Sequence, residues 1–348
     1  MPDTNRLPDI APLAVTMGDP AGIGGDITLA AWLTREATGV PPFVLIDDAD
    51  RIAGLAERLG WAVPVARIEQ PAQAVALFPK ALPVLHRPLP VPVQPGKPTS
   101  ATADAVCAAI AEAVALVRTG AASAVVTNPI NKDVLQHAGF RFPGHTEYLA
   151  DLAGTGDVPV MMLACPALRV VPVTIHIPLE AVAQTLTTAA IVHAGRVTAQ
   201  ALARDFGIAR PRLAVAGLNP HAGERGRMGD QETRIIAPAV EALRDEGLTV
   251  SGPLPADTLF HPAARARHDA VLCMYHDQAL IPIKTVDFAG GVNVTLGLPF
   301  VRTSPDHGTA FDIAGQGTAQ PDSLVAALHM AATMVAHRQR TAAEGPGR

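Results

Sequence analysis

Short apolar and β-branched runs recur along the chain, each closed by a polar turn. Ala-rich stretches of helical periodicity separate several of them. APLAVTM (11–17), PFVLID (42–47), SAVVTNP (123–129), VPVMMLA (158–164), LRVVPVTIH (168–176), RLAVAGL (212–218), DAVLCMY (269–275) and VNVTLGL (292–298) read as buried strands. Helical patterns cover 26–34, 48–60, 102–120, 179–206 and 231–247. This alternation predicts an α/β chain with layers of helix packed on a largely parallel sheet. The proline-rich stretch 82–100, LPVLHRPLPVPVQPGKPTS, predicts an excursion or edge segment, because proline cannot donate to a sheet ladder. The first ten residues and the tail HRQRTAAEGPGR are expected to fray.

Composition narrows the function classes. The chain has 348 residues, 49% hydrophobic, enough for one large or two ordinary domains with a sizeable core. A net charge of -5 gives no attraction to nucleic acid or anionic lipid, so an anionic ligand must be held by local cations. Aromatic residues make up 4%, too few for base-stacking platforms. Cys107, Cys165 and Cys273 lie apart in apolar runs with no CxxC, which suits burial and a reducing cytoplasm. No signal-peptide pattern opens the chain, and no run reads as a membrane span.

Three histidines occupy matching places. His176, His221 and His276 each stand just past a predicted strand. Ligands of open α/β sheets bind in the crevice beyond the carboxyl ends of the strands. Three imidazoles delivered there suit zinc or a related divalent ion with an open position for substrate, whereas each one alone suits a hydrogen-bonded core residue. Asp277 adjoins His276, where a carboxylate can fix the tautomer of a ligating ring, and Asp257 ends another extended run.

Four further clusters carry polar chemistry. GDPAGIGGD (18–26) is either a tight strand-to-helix turn or a place where backbone approaches a ligand; it is neither GxGxxG nor a Walker A loop. TNPINK (127–132) suits an anion, or a helix cap. Gly144, His145, Thr146 and Glu147 form a donor-rich turn suited to phosphate, or a plain N-cap. The stretch 281–315 gathers Lys284, Asn293, Arg302, Asp306, His307, Gly308 and Asp312; its cations suit phosphate and its glycines would admit a dinucleotide, or it is a surface loop with solvated charges.

In order, GDPAGIG, TNPINK, GHTE, TIHIPL, GLNPHAGE, GPLPADTLF, YHDQ, VNVTLGLP and RTSPDHGTAFDIAG resemble the motifs of the 4-hydroxythreonine-4-phosphate dehydrogenase family, from about Val15 to His337. The resemblance implies a two-domain α/β/α sandwich of the isocitrate/isopropylmalate dehydrogenase type, without a Rossmann fingerprint. The expected domains are 1–138 with 300–338, and 139–299, leaving 339–348 as a disordered tail. The implied enzyme is a homodimer whose active sites lie in the interdomain cleft and draw residues from both subunits. It implies His176, His221 and His276 as metal ligands, one coming from the partner, with zinc favoured over magnesium or cobalt. His145, Thr146, Lys284, Asn293 and Arg302 match substrate-binding positions, and Lys284, Asp257 and Asp277 match catalytic or supporting ones. Asn219, Asp306, His307, Gly308 and Asp312 are the candidates for contact with NAD or NADP. The implied reaction oxidises the C3 hydroxyl of 4-phosphooxy-L-threonine, after which the β-keto acid loses carbon dioxide. Same-fold oxidation of threonate or erythronate phosphates or of aromatic cis-dihydrodiols, and metal-dependent hydrolysis, are the competing readings. The chain departs from the family pattern at Gly25–Asp26, Asn128, Ala279 and Pro305.

Overall fold

The computed structural model describes residues 10–142, 144–154, 156 and 158–344. Among these residues the strands are β1 (Leu13–Thr16), β2 (Phe43–Asp47), β3 (Val65–Ile68), β4 (Leu82–His86), β5 (Val125–Thr127), β6 (Val160–Cys165), β7 (Leu168–Pro172), β8 (Arg212–Ala216), β9 (Thr249–Leu254), β10 (Ala270–Cys273), β11 (Val292–Leu296) and β12 (Arg302–Pro305). The eight runs expected as strands all contain one. Among the described residues, the contacts divide the chain into unit 1, residues 10–159 with 298–343, and unit 2, residues 160–297. The first crossing thus follows residue 159, where 138 was expected.

In unit 1 the strand order is β3-β4-β2-β1-β5-β12, all pairs parallel. The helix Ala103–Arg118 lays Val106, Ala109, Ile110 and Ala113 into a core shared with Ala14, Val44 and Val125. The stretch Ser100–Arg118 is long and apolar enough to cross a membrane by length and composition, contrary to expectation. Its apolar face is occupied by that core, and the same pattern marks a core helix.

The strand order corrects the reading of the proline-rich stretch. Its first five residues, β4, lie inside the sheet, paired with both β3 and β2, and are buried apart from His86. The continuous apolar run Leu82–Leu85 outweighed Pro83, which takes its register opposite Ala66. Only the part after His86 leaves the sheet. The tail also differs from expectation, because the last helix runs from Asp322 to Glu344 and orders residues 339–344. The rest of the tail, 345–348, and residues 1–9 lie outside the described residues.

In unit 2 the order is β11-β6-β7-β10-β8-β9, with β7, β10, β8 and β9 parallel and the first two pairings antiparallel. Leu163, Val170, Ala214 and Val271 meet Ala279 and Ile283 of the helix His276–Val286 in the core. The helical pattern over 179–206 is two helices, Leu179–Thr185 and Thr188–Phe206, because Thr187 turns extended and caps the second through Ala190 N–H at 3.2 Å. Cys165 and Cys273 are buried free thiols, and Cys107 is a half-buried one.

Candidate active site

Unit 2 presents the three histidines at one end of its sheet. Strands β7, β10 and β8 are adjacent and parallel, so their carboxyl ends point the same way. Beyond β7 the chain stays beside β10: Val173 N–H donates to Cys273 C=O at 2.8 Å, and the Thr174 hydroxyl to Met274 C=O at 2.7 Å. His176 and His276 each come two residues after the Thr174–Met274 pair, which leaves their ring centroids 6.0 Å apart. They line a cavity of about 240 Å³ with Thr174, Leu179, Val182 and Tyr275. The Asp277 carboxylate lies 2.7 Å from His276 Nδ1. A carboxylate only accepts, so Nδ1 carries a proton, and the neutral ring with that tautomer turns the Nε2 lone pair to a ligand.

His221 follows β8, the strand next to β10. Gln278 ties the two strand ends together, accepting from Met274 N–H at 2.6 Å and donating to Gly217 C=O at 2.8 Å. Sequence reading passed over this residue, although YHDQ contains it. Asp257 is exposed on a short turn, Ala256–Thr258, that touches the His221 loop. Among the described residues, the three histidines do not form a group with ligand atoms within 4.8 Å of one another.

Asn219 had been a candidate for the dinucleotide. Its side-chain amide instead donates to Gln231 Oε1 at 2.8 Å and Glu232 Oε2 at 2.9 Å, so its donors are engaged within the loop. Lys284 lies with its Nζ 5.4 Å from the Phe288 ring centroid, and that ring is 80% exposed. Asn293 stands opposite Leu163 in the antiparallel β11–β6 pair. Its Oδ1 is buried without a hydrogen-bond partner, an acceptor that suits a ligand donor.

Unit 1 gathers the other clusters around the point where strand order reverses, between β1 and β5, a preferred place for ligands in such sheets. The glycines of GDPAGIG are explained by close packing within the chain. A Cβ on Gly18 would stand 2.7 Å from Pro129 C=O, and one on Gly22 would stand 2.9 Å from Thr309 C=O. Asn128 is buried and bridges Thr16 C=O at 3.0 Å to the Thr28 hydroxyl at 2.9 Å. Asp26 accepts from Gly315 N–H at 2.9 Å. Of these two departures from the family pattern, Asn128 ties the end of β5 to the end of β1 and to the helix Gly24–Leu33, and Asp26 ties that helix to Gly315. Asn131 is a helix cap, accepting from Val134 N–H at 3.0 Å.

Arg302 is buried on β12, where Nη2 donates to the Thr127 hydroxyl at 2.6 Å. Burial pushes its pKa down to about 10, which still leaves a cation at neutral pH. His145 and Thr146 begin the helix His145–Ala153; Gly144 is its N-cap and supplies no side-chain hydrogen bond, so the first amides are available to an anion. The His145 side chain lies outside the described residues. Asp306 N–H is held by Ser323 Oγ at 3.1 Å, and His307 and Asp312 are exposed. A Cβ at Gly308 would meet nothing within 4 Å, so this backbone is open to a flat ligand.

Asp48, Asp50 and His86 form a tight group of metal-type donors. Their atoms are already engaged, however. Asp48 caps the helix Ala49–Leu59 through Asp50 and Arg51 N–H and accepts from Leu89 N–H, His86 Nδ1 accepts from Ala49 N–H, and Asp50 pairs with Arg67. Burial acts to raise the Asp48 pKa, but these amides outweigh it and hold the carboxyl below its ordinary 3.8. A lowered carboxylate stabilises the fold above its unfolded pKa and loses that contribution as pH falls through the folded one. Asp48→Ala is expected to cost about 1 kcal/mol at neutral pH. Denaturant titrations should show that deficit shrinking once pH drops below the ordinary carboxylate range, with metal content unchanged.

The sequence pattern of the pyridoxal phosphate biosynthetic protein PdxA family matches residues 40–331. The 4-hydroxythreonine-4-phosphate dehydrogenase of Caulobacter vibrioides is 56% identical over 332 residues, spanning 94% of this chain and 98% of that protein. The crystal structure of the enzyme of that name from Klebsiella pneumoniae superposes with a TM-score of 0.84 at 40% identity, over 94% of this chain and 99% of that one. A terephthalate 1,2-cis-dihydrodiol dehydrogenase from Burkholderia xenovorans is more distant, at 28% identity and a TM-score of 0.60 over 92% of this chain and 97% of its own. The chain therefore belongs to the pyridoxal phosphate biosynthetic protein PdxA family of dehydrogenases, enzymes that use a nicotinamide cofactor and a metal.

Proposed function

We propose that the chain oxidises 4-phosphooxy-L-threonine at its C3 hydroxyl with NAD or NADP, and that the 2-amino-3-oxo-4-phosphooxybutanoate so formed loses carbon dioxide to give 3-amino-2-oxopropyl phosphate. The observation that carries this reading is the delivery of His176, His221 and His276 to one end of adjacent parallel strands, with a carboxylate fixing the tautomer of His276.

The donor set fits a divalent cation of the zinc type, with cobalt or magnesium as alternatives, held by the three imidazoles. When bound, the metal would supply a Lewis acid for the hydroxyl, and the nicotinamide would accept the hydride. The remaining work falls to side chains. Asp277 would accept from His276 Nδ1–H and so turn Nε2 toward the metal. Lys284 is the candidate to take the hydroxyl proton, with Asp257 and Asp277 as supporting acids. Asn293 Oδ1, a buried acceptor without a partner, would receive a hydrogen bond from the substrate. Arg302 would meet the phosphate as a buried cation, with His145 and Thr146 adding a helix N-terminus and a hydroxyl. The open backbone at Gly308, flanked by Asp306, His307 and Asp312, would receive the dinucleotide.

A homodimer belongs to this reading, with one imidazole supplied by a second copy. Among the described residues, the ligand atoms of the three imidazoles do not all lie within 4.8 Å of one another. Leu179, which lines the cavity with His276, and Ile281, on the helix that His276 opens, are 71% and 65% exposed and leave apolar surface suited to a second copy. The free thiols agree with a cytoplasmic setting.

Absorbance assays with 4-phosphooxy-L-threonine, its unphosphorylated analogue and an aromatic cis-dihydrodiol test the assignment. Nicotinamide reduction is expected with the first substrate and is to be weaker by at least tenfold with the others. Preference for the dihydrodiol, or phosphate release without nicotinamide reduction, would overturn it.

A further inference from the structure

The loop that carries His221 has a backbone that is hard to hold. His221, Ala222, Gly223, Glu224 and Arg225 are successive residues with positive φ, at 52°, 51°, 76°, 42° and 57°. Four of the five carry a Cβ, and single L-residues, not runs, are what ordinarily visit this region. Such a turn persists only where its surroundings over-determine it.

One side chain touches this loop at several points. Glu232 is 3% exposed and opens a π-helical turn, Glu232–Ile236, that leads into the helix Ala237–Asp245. Its Oε1 accepts from Asn219 N–H at 2.7 Å and its Oε2 from the Asn219 side-chain amide at 2.9 Å. Gly217 and Gly223 are glycine where the carboxylate presses on them. A Cβ would stand 3.2 Å from Oε1 at Gly217 and 2.5 Å from Oε2 at Gly223. The carboxylate thus grips Asn219, where the loop begins, and abuts Gly223 in the middle of the left-handed run. The wider π turn suits this task, because π turns insert at functional sites to re-aim side chains.

We propose that Glu232 is a positioning residue for His221: it clamps the left-handed turn so that the imidazole is pre-set for the metal. Its action is indirect, through the loop backbone. The inference rests on the reading of His221 as a metal ligand. It adds a residue whose contribution is acceptor geometry, since both carboxylate oxygens must accept. Glu232→Gln keeps the shape and replaces one acceptor by an NH2 group facing a donor.

The test titrates the full chain with Zn2+ against a chromophoric chelator and, separately, follows tryptic cleavage after Arg225 and Arg227 without added metal. Glu232→Gln is expected to weaken Zn2+ binding by about 10–100-fold, the range for residues that orient a metal ligand, and to speed cleavage at these arginines. Gly223→Ala, which drives a methyl against the same carboxylate, should reproduce both changes if Glu232→Gln folds poorly. His221→Ala is the control. If it abolishes tight Zn2+ binding while Glu232→Gln binds within twofold of wild type and is cleaved at the wild-type rate, the clamp is overturned and the ligand reading stands. If His221→Ala leaves affinity unchanged, the ligand reading fails and the metal half of the proposal falls with it. Faster cleavage with unchanged affinity would mark Glu232 as a structural residue only and overturn its positioning role.

Discussion

Replacing His276 by alanine is expected to lower kcat/KM by on the order of a thousandfold. A metal at a developing alkoxide contributes several kcal/mol to the transition state, and each 1.36 kcal/mol is tenfold in rate. The orientation of the His276 ring is set: its Nδ1 is held by Asp277 at 2.7 Å, and His276 opens a helix three residues after β10 ends. Removing it would take away the proposed ligand and leave Asp277 with nothing to orient. Asp277→Asn keeps the ligand and disturbs only its orientation, so a smaller loss of about 10–100-fold is expected. Steady-state kinetics with metal in excess, together with metal content after desalting, distinguishes the two variants. A His276→Ala enzyme within tenfold of wild type would remove this residue from the metal site.

The second large effect is expected at Arg302. A hydrogen bond to a charged group contributes about 1.5–3 kcal/mol, so Arg302→Met should raise KM for 4-phosphooxy-L-threonine by about 10–100-fold. The charge is held ready in a buried place at the end of the β5–β12 pair, where Thr127 accepts from Nη2 and steadies the guanidinium. Kinetics on the unphosphorylated analogue separate a phosphate contact from a general disturbance. The variant should handle that compound much as wild type does. Equal damage with both compounds would assign Arg302 to packing instead. Because burial lowers the pKa to about 10, phosphate affinity should also decline as pH rises toward that value.

Much of the histidine-bearing end of unit 2 is legible in the sequence. A β-branched run followed by His is a local signal, and three such signals needed only parallel, adjacent strands to become one edge. The clusters of unit 1 were legible as polar segments but not as structure. The glycines of GDPAGIG suit either a tight turn or a ligand loop, and Gly18 and Gly22 are small because Pro129 and Thr309 approach them from distant parts of the chain. Local pattern carries no information about such contacts. The strands VARI, TVSGPL and RTSP were not recognised for related reasons. The first is short, the second is broken by Gly252–Pro253, and the third has polar residues buried beside β5. Glu232 and Gln278 were invisible as functional residues because their roles are hydrogen bonds to loop backbone 13 and 61 residues away, respectively. A resemblance in motif order supplied the identities of reactants that composition and periodicity could not.

The most direct measurement follows nicotinamide reduction and carbon dioxide release together from 4-phosphooxy-L-threonine, before and after dialysis against a chelator and again after Zn2+ is restored. The account predicts that the two products appear in equal amounts, that both are lost on dialysis and that both return with the metal. Full turnover after metal removal, or carbon dioxide release uncoupled from nicotinamide reduction, would contradict it.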